Sequence, residues 1–252
     1  MLEKLNNGQP VLGTWIVIPS IISVDIIAST GLDFVIVDRE HGPISFETAQ
    51  EMAISCESQG VSPIMRVGDI DKASIQNALD IGMHGIQVPN VDTVQNAKDV
   101  VSCAKYPPAG ERGFSPFTRA GGYSIHNAKK LTSIANDNTA VVLNIEGKDA
   151  VANLDGILKI DHVDVLFVGL FDLSKALNIP GDVENKIVLD TLREIIEKAD
   201  KAGKYVGTIA TRKEKVKEFL DMGIKYMVYL VDCDVLRSSY ASIVDVFQGK
   251  GE

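Results

Sequence analysis

Eight short apolar runs, rich in Val and Ile, recur along the chain with longer segments of helical periodicity between them. They are Trp15 to Ile18, Phe34 to Val37, Ile64-Met65, Ile86 to Val88, Val141 to Leu143, Val165 to Val168, Tyr205 to Thr208 and Met227 to Leu230. Most are continuously apolar and do not alternate, the pattern of strands in a parallel sheet covered on both faces. The segments between them include Phe46 to Ser58, Lys72 to Ile81, Thr93 to Ala104, Val188 to Ala202 and Lys213 to Met222. Ser45 and Asp71 stand where helix caps are expected. Spread over 252 residues, eight units occupy about 31 residues each, the repeat of a (β/α)8 TIM barrel. A single barrel domain over residues 1–252 is therefore expected. An open doubly wound sheet is the competing architecture, but neither G-x-G-x-x-G nor G-x-x-x-x-G-K-[ST] occurs. One long irregular stretch, Tyr106 to Tyr123, is rich in Gly and Pro, and a loop of that length in a compact domain is expected to be functional or mobile.

Composition removes several function classes. Lys and Arg number 25 against 34 Asp and Glu, a formal charge of −9, and no basic block is present to meet phosphates, so nucleic acid is not an expected partner. The longest uncharged stretch, Leu5 to Val24, is broken by Asn, Gln, Gly, Pro and Ser, so neither a membrane span nor a secretory leader is expected. The three cysteines, Cys56, Cys103 and Cys233, form no C-x-x-C pair. That spacing fits a reducing compartment, the cytoplasm, and excludes a local Cys-based zinc site.

In such a barrel the chemistry collects at the C-terminal ends of the strands. The second run ends in Asp38-Arg39-Glu40-His41, the third carries Arg66, the fifth leads to Glu146 and the sixth runs through Gly169 to Asp172. Glu146 and Asp172 lie 26 residues apart, which places them at the ends of neighbouring strands. Two converging carboxylates repel unless a cation lies between them, and an all-oxygen set favours Mg, Mn or Co. The alternative is that each caps the helix that follows. Arg66 either faces the site, where it would bind a carboxylate or a developing oxyanion, or forms an ion pair with a neighbouring strand-end acid. His41 titrates near neutrality and is the candidate general base or acid, with Asp80 as its orienting partner. His84, His126 and His162 are expected to be structural or on the surface. No Lys stands where a Schiff base would form, and no glycine-rich nest follows the last two runs, so neither imine catalysis nor a phosphate ester is expected.

These residues sit in motifs that together resemble the HpcH/HpaI aldolase family over nearly the whole chain. The motifs are Gly31 to His41, Met65-Arg66-Val67, Leu79-Asp80-Ile81-Gly82 through Val88-Pro89, Tyr106 to Gly113, Asn144-Ile145-Glu146 and Gly169 to Ser174. The resemblance implies a class II aldolase cleaving a 4-hydroxy-2-oxo (2-keto-3-deoxy) acid to pyruvate and an aldehyde. It also implies Glu146 and Asp172 as metal ligands, Arg66 on the pyruvyl oxygen, and His41, oriented by Asp80, at the C4 hydroxyl. Asn144, Gly169, Leu170 and Phe171 would line the substrate. The family commonly has Pro and a small residue where Leu170 and Phe171 stand, and Gln where Asn144 stands. Phe171 is accordingly expected to narrow the pocket. A homo-oligomer, by resemblance a hexamer, is implied, with the apolar segment Leu236 to Phe247 as a contact element. Two other readings remain open: a malyl-type CoA-thioester lyase using Arg112, Arg119 and Lys129 near the mouth, and a non-catalytic barrel that binds a 2-oxo acid.

Overall fold

The computed structural model describes residues 1–250, with the side chains of Asn127 and Lys129 outside that description. Eight parallel strands close into a barrel in sequence order: β1 (Val11–Ile16), β2 (Phe34–Asp38), β3 (Ser62–Arg66), β4 (Gly85–Val88), β5 (Ala140–Ile145), β6 (Val165–Val168), β7 (Tyr205–Ala210) and β8 (Tyr226–Val231). The helices are α1 (Leu2–Asn6), α2 (Ile21–Ala28), α3 (Phe46–Ser58), α4 (Lys72–Asp80), α5 (Val94–Ala104), α6 (Ala128–Asn138), α7 (Lys148–Ala152), α8 (Leu154–Ile157), α9 (Leu170–Ala176), α10 (Lys186–Lys201), α11 (Lys213–Met222) and α12 (Asp232–Phe247). Caps start several of them: Ser45 accepts from Thr48 N at 3.1 Å, Asp71 from Ser74 N at 2.7 Å, and Thr93 and Asn96 cap each other reciprocally.

The strands read as unbroken apolar runs because both of their faces are buried. Outward residues such as Val35, Val37, Met65 and Leu166 pack against the helices, whereas Trp15, Phe34, Ile36, Phe167 and Tyr226 fill the interior as a separate cluster. The interior holds these rings because glycines stand opposite them. Gly13 is paired with Phe34 and Gly207 with Tyr226. A Cβ at Gly13 would come within 2.5 Å of the Phe34 ring, and one at Gly207 within 2.7 Å of the Tyr226 ring. Phe34 and Tyr226 stack at 4.2 Å, and Trp15 meets Phe167 edge-on at 5.1 Å. Gly13 also explains why β1 begins at Val11, four residues before the apolar run begins at Trp15. In the sequence this glycine looks like a breaker, but it lies inside the strand.

The 106–123 stretch lies at the N-terminal end of the barrel, away from the strand ends where chemistry was expected. It acts there as a clasp: Arg112 reaches Asp80 at 2.7 Å, Arg119 reaches Glu57, and Ala120 N donates to the Asp80 carbonyl at 3.1 Å. His84 joins the same cluster through Glu57 at 3.0 Å, and His126 and His162 are exposed.

Near the end of β8 the chain turns at Leu230, whose φ of 52° is left-handed. The Asp232 carboxylate then accepts from Val17 N and Ile18 N at 3.0 and 3.1 Å, tying the start of α12 to the end of β1. Beyond that tether α12 leaves the barrel wall, with Tyr240 70%, Ile243 66% and Phe247 90% exposed. The outer face of β1 and β8 accordingly carries an apolar cavity of about 700 Å³ lined by Leu12, Ile26, Ile27, Leu32, Val216 and Tyr229, among others. Among the described residues, no helix is long and apolar enough to cross a membrane.

Candidate active site

Asp38 and Arg66 end adjacent strands and are paired in register. Their side chains form a fork-to-fork ion pair, Nε to Oδ1 at 2.9 Å and Nη2 to Oδ2 at 2.6 Å, while Nη1 lies 2.9 Å from Glu40 Oε2. The guanidinium also lies over the Trp15 ring, 4.9 Å from its centroid. Of the two alternatives for Arg66, the ion pair with strand-end acids is observed, and the pair stands at the barrel mouth. Asp38 Oδ1 additionally accepts from Glu40 N and His41 N at 3.0 and 3.3 Å. One buried carboxylate therefore orders both Arg66 and the turn that carries His41, whose own side chain is 71% exposed.

On the far side, Glu146 follows β5. Its Oε1 accepts from Asn90 N at 3.0 Å and its Oε2 from Asn144 Nδ2 at 3.3 Å, and Asn144 Oδ1 in turn accepts from Gln87 Nε2 at 2.9 Å. Gly169, which precedes α9, makes room for this carboxylate: a Cβ there would stand 2.9 Å from Glu146 Oε2. Asp172 lies in the first turn of α9. Burial pushes the Glu146 carboxyl above the usual carboxylate range, the Asn90 hydrogen bond opposes this, and the charges of Asp172 and Glu40 push it further up. Glu40 is raised too, chiefly by burial and against the pull of Arg66, with Asp38 and Asp172 adding to the rise. Asp38 and Glu40 thus hold the guanidinium directly, while Glu146 and the exposed Asp172 lie within electrostatic reach of Glu40 and of each other at the barrel mouth.

The structure brings together Arg66, Asn144, Glu146, Gly169 and Asp172, with His41 at the rim. Other expected members lie elsewhere. Asp80 ends α4 at the opposite end of the barrel and is bound to Arg112, so within one chain it does not orient His41. Leu170 is buried in the outer core. Phe171 is half-exposed and borders a small recess with Val183, Leu189, Ile209 and Phe219, so its ring walls the α10–α11 side and not the acid cluster. Arg112 and Arg119 are engaged at the barrel's far end, which removes them from the mouth, and the Lys129 side chain lies outside the described residues. Asp38 and Glu40 stood in the strand-end run Asp38 to His41 but were given no role of their own, and Gln87 was not singled out from the sequence. Gln87 carried a visible signal, since it is the polar residue inside the apolar run Ile86 to Val88.

The donor set suits a hard cation. The carboxylates, from the buried Asp38 to the exposed Asp172, outnumber their counter-charge, every donor is oxygen, and Gly169 keeps open the space a side chain would fill beside Glu146. Among the described residues no group of three or more His, Cys, Asp or Glu is arranged to hold a metal ion.

A family model described as HpcH/HpaI aldolase/citrate lyase matches residues 12–238. The chain is similar to a hydroxypyruvate/pyruvate aldolase of Roseobacter denitrificans, 29% identical with 96% of this chain and 94% of that protein covered. It is also similar to a 2-dehydro-3,6-dideoxy-6-sulfogluconate aldolase of Pseudomonas putida, 30% identical with 98% and 96% covered. Among solved structures, an HpcH/HpaI aldolase from Desulfitobacterium hafniense DCB-2 superposes with a TM-score of 0.94 at 29% identity, covering 98% of this chain and 96% of that one.

Proposed function

The chain belongs to the HpcH/HpaI aldolase/citrate lyase family, and from that premise we propose that it is a class II aldolase cleaving a 4-hydroxy-2-oxo acid reversibly to pyruvate and an aldehyde. The observation that carries this reading is the carboxylate cluster, in which Asp38 is buried, Glu40 and Glu146 are partly buried and Asp172 is exposed, set against an Arg66 held by Asp38 and Glu40 at the C-terminal end of the barrel. Glu146 and Asp172 would hold a divalent cation, Mg, Mn or Co, with the remaining positions left to substrate and water. When bound, that cation supplies Lewis-acid polarisation of the 2-oxo acid.

The chain's own groups account for the rest. Arg66, held on two sides by Asp38 and Glu40, donates to the 2-oxo oxygen as negative charge grows there during C3–C4 cleavage. Because those acids fix its orientation beforehand, little reorganisation is needed at that moment. His41 takes the proton of the C4 hydroxyl, and its exposed position leaves the aldehyde end open to varied substituents. Asn144 holds Glu146 in place. Asp80 can meet a His41 only across a contact between copies, and the unpacked α12 beside an apolar groove supports self-association, a hexamer by family resemblance. The three free cysteines suit a reducing cytoplasm. The CoA-thioester reading loses support because Arg112 and Arg119 are committed at the other end of the barrel.

The test is pyruvate release from a panel of 4-hydroxy-2-oxo acids, measured before and after chelation. Activity is expected to disappear with the chelator and to return with Mg, Mn or Co. Turnover that resists chelation overturns the metal-dependent reading.

A further inference from the structure

Gln87 is completely buried in the barrel interior, and its carboxamide oxygen has no hydrogen-bond partner. A buried acceptor left unmatched opposes folding, so a side chain of this kind in a strand otherwise made of Gly85, Ile86 and Val88 calls for a compensating role. Its other end supplies one. The Glu146 carboxylate only accepts, so Asn144 must present its amino group to it, which turns the Asn144 carbonyl toward β4. That carbonyl then requires a donor, and Gln87 Nε2 provides it at 2.9 Å. The direction of the whole relay is set by the charge at its end, and the unmatched Gln87 oxygen is what remains at its start.

We propose that Gln87 is a positioning residue: by fixing the orientation of the Asn144 amide it holds the Glu146 carboxylate between Asn144 and the Asn90 N–H, in the rotation from which Glu146 engages the cation. The proposal rests on the reading of Glu146 as a cation ligand. Without Gln87, Asn144 is free to turn its carbonyl toward Glu146, where two acceptors repel. The carboxylate then loses one of its two supports, leaving Asn90 N at 3.0 Å. Partners that orient a metal ligand in this way typically change metal affinity by about 10–100-fold when removed.

The experiment measures Mn²⁺ affinity by calorimetry and electron paramagnetic resonance on the full chain, alongside urea denaturation of the metal-free protein. Gln87→Met removes the donor at nearly constant volume, and Gln87→Leu serves in its place if the Met variant does not fold. The expected result is Mn²⁺ binding weakened about 10-fold, with the unfolding midpoint close to the parent's, because the unmatched Gln87 oxygen is gone while the Asn144 carbonyl loses its donor. In an Asn144→Ala background, the Gln87 substitution should have no further effect on Mn²⁺ affinity. Affinity within twofold of the parent, or an equal loss in both backgrounds, overturns the role of Gln87. A parent chain that binds no divalent cation overturns the cation reading itself, and is distinguished by the parent measurement alone.

Discussion

Arg66 shows how far a single residue can be read without its neighbours. Its place at the end of an apolar run marks it as functional, but its two acidic partners follow from register, which pairs Asp38 with Arg66 across β2 and β3. The positions of Glu146 and Asp172 after neighbouring strands were legible because their spacing is close to one β/α unit. The roles of Asp38, Glu40 and Gln87 were not, because what they touch depends on neighbouring strands and turns. Arg66→Lys keeps the charge and loses the planar fork, so kcat/KM for aldol cleavage is expected to fall about 10²–10³-fold with the circular dichroism spectrum unchanged. A loss below tenfold would mean that charge alone suffices. The cysteines offer a second check. Burial pushes the Cys56 thiol up to about 12, so at pH 8 it remains protonated, and Cys103 is raised as well by its partial burial. Peptide mapping after iodoacetamide treatment at pH 8 should find Cys233, which is exposed, modified first, and Cys56 modified only in denaturant.

Among the elements, α3 and α11 fall where periodicity alone placed them, Phe46–Ser58 and Lys213–Met222, because each presents a distinct apolar stripe to the barrel. The short α7 and α8 escaped that reading, since five and four residues are too few to display a period. The 106–123 segment was legible as a long loop but not as a clasp at the far end, because its anchors, Asp80 and Glu57, come from other helices. In α12 the stripe was readable and its destination was not, since a stripe does not say whether it packs on its own barrel. Tyr240→Asp together with Phe247→Asp should lower the mass measured by light scattering toward that of one chain. A parent protein that is already monomeric at micromolar concentration refutes self-association through this helix.

At the scale of the whole molecule the barrel has unlike ends. One gathers carboxylates around Arg66, and the other is closed by Leu5 of α1 and by the clasp. The eightfold alternation was readable because a sheet buried on both faces writes apolar runs into the sequence, whereas the filling of the interior was hidden in residues with no side chain. Gly207→Ala should cost about 1–3 kcal/mol in urea titration, because the new methyl meets the Tyr226 ring and its backbone carbonyl, both at 2.7 Å. An unchanged midpoint would show that the ring shifts freely. The pairing of Gly13 with Phe34 carries a historical implication as well. A methyl at position 13 collides with a ring and with a carbonyl at 2.6 Å, and shrinking Phe34 alone opens a void inside the barrel. Each single step is harmful, and the partner substitution relieves only part of that harm, since the carbonyl remains in place whatever residue 34 becomes. In a mutational library, position 13 should therefore behave as nearly immutable while position 34 tolerates bulky rings, an asymmetric epistasis that would keep lineages descending from this chain on one side of a fitness valley.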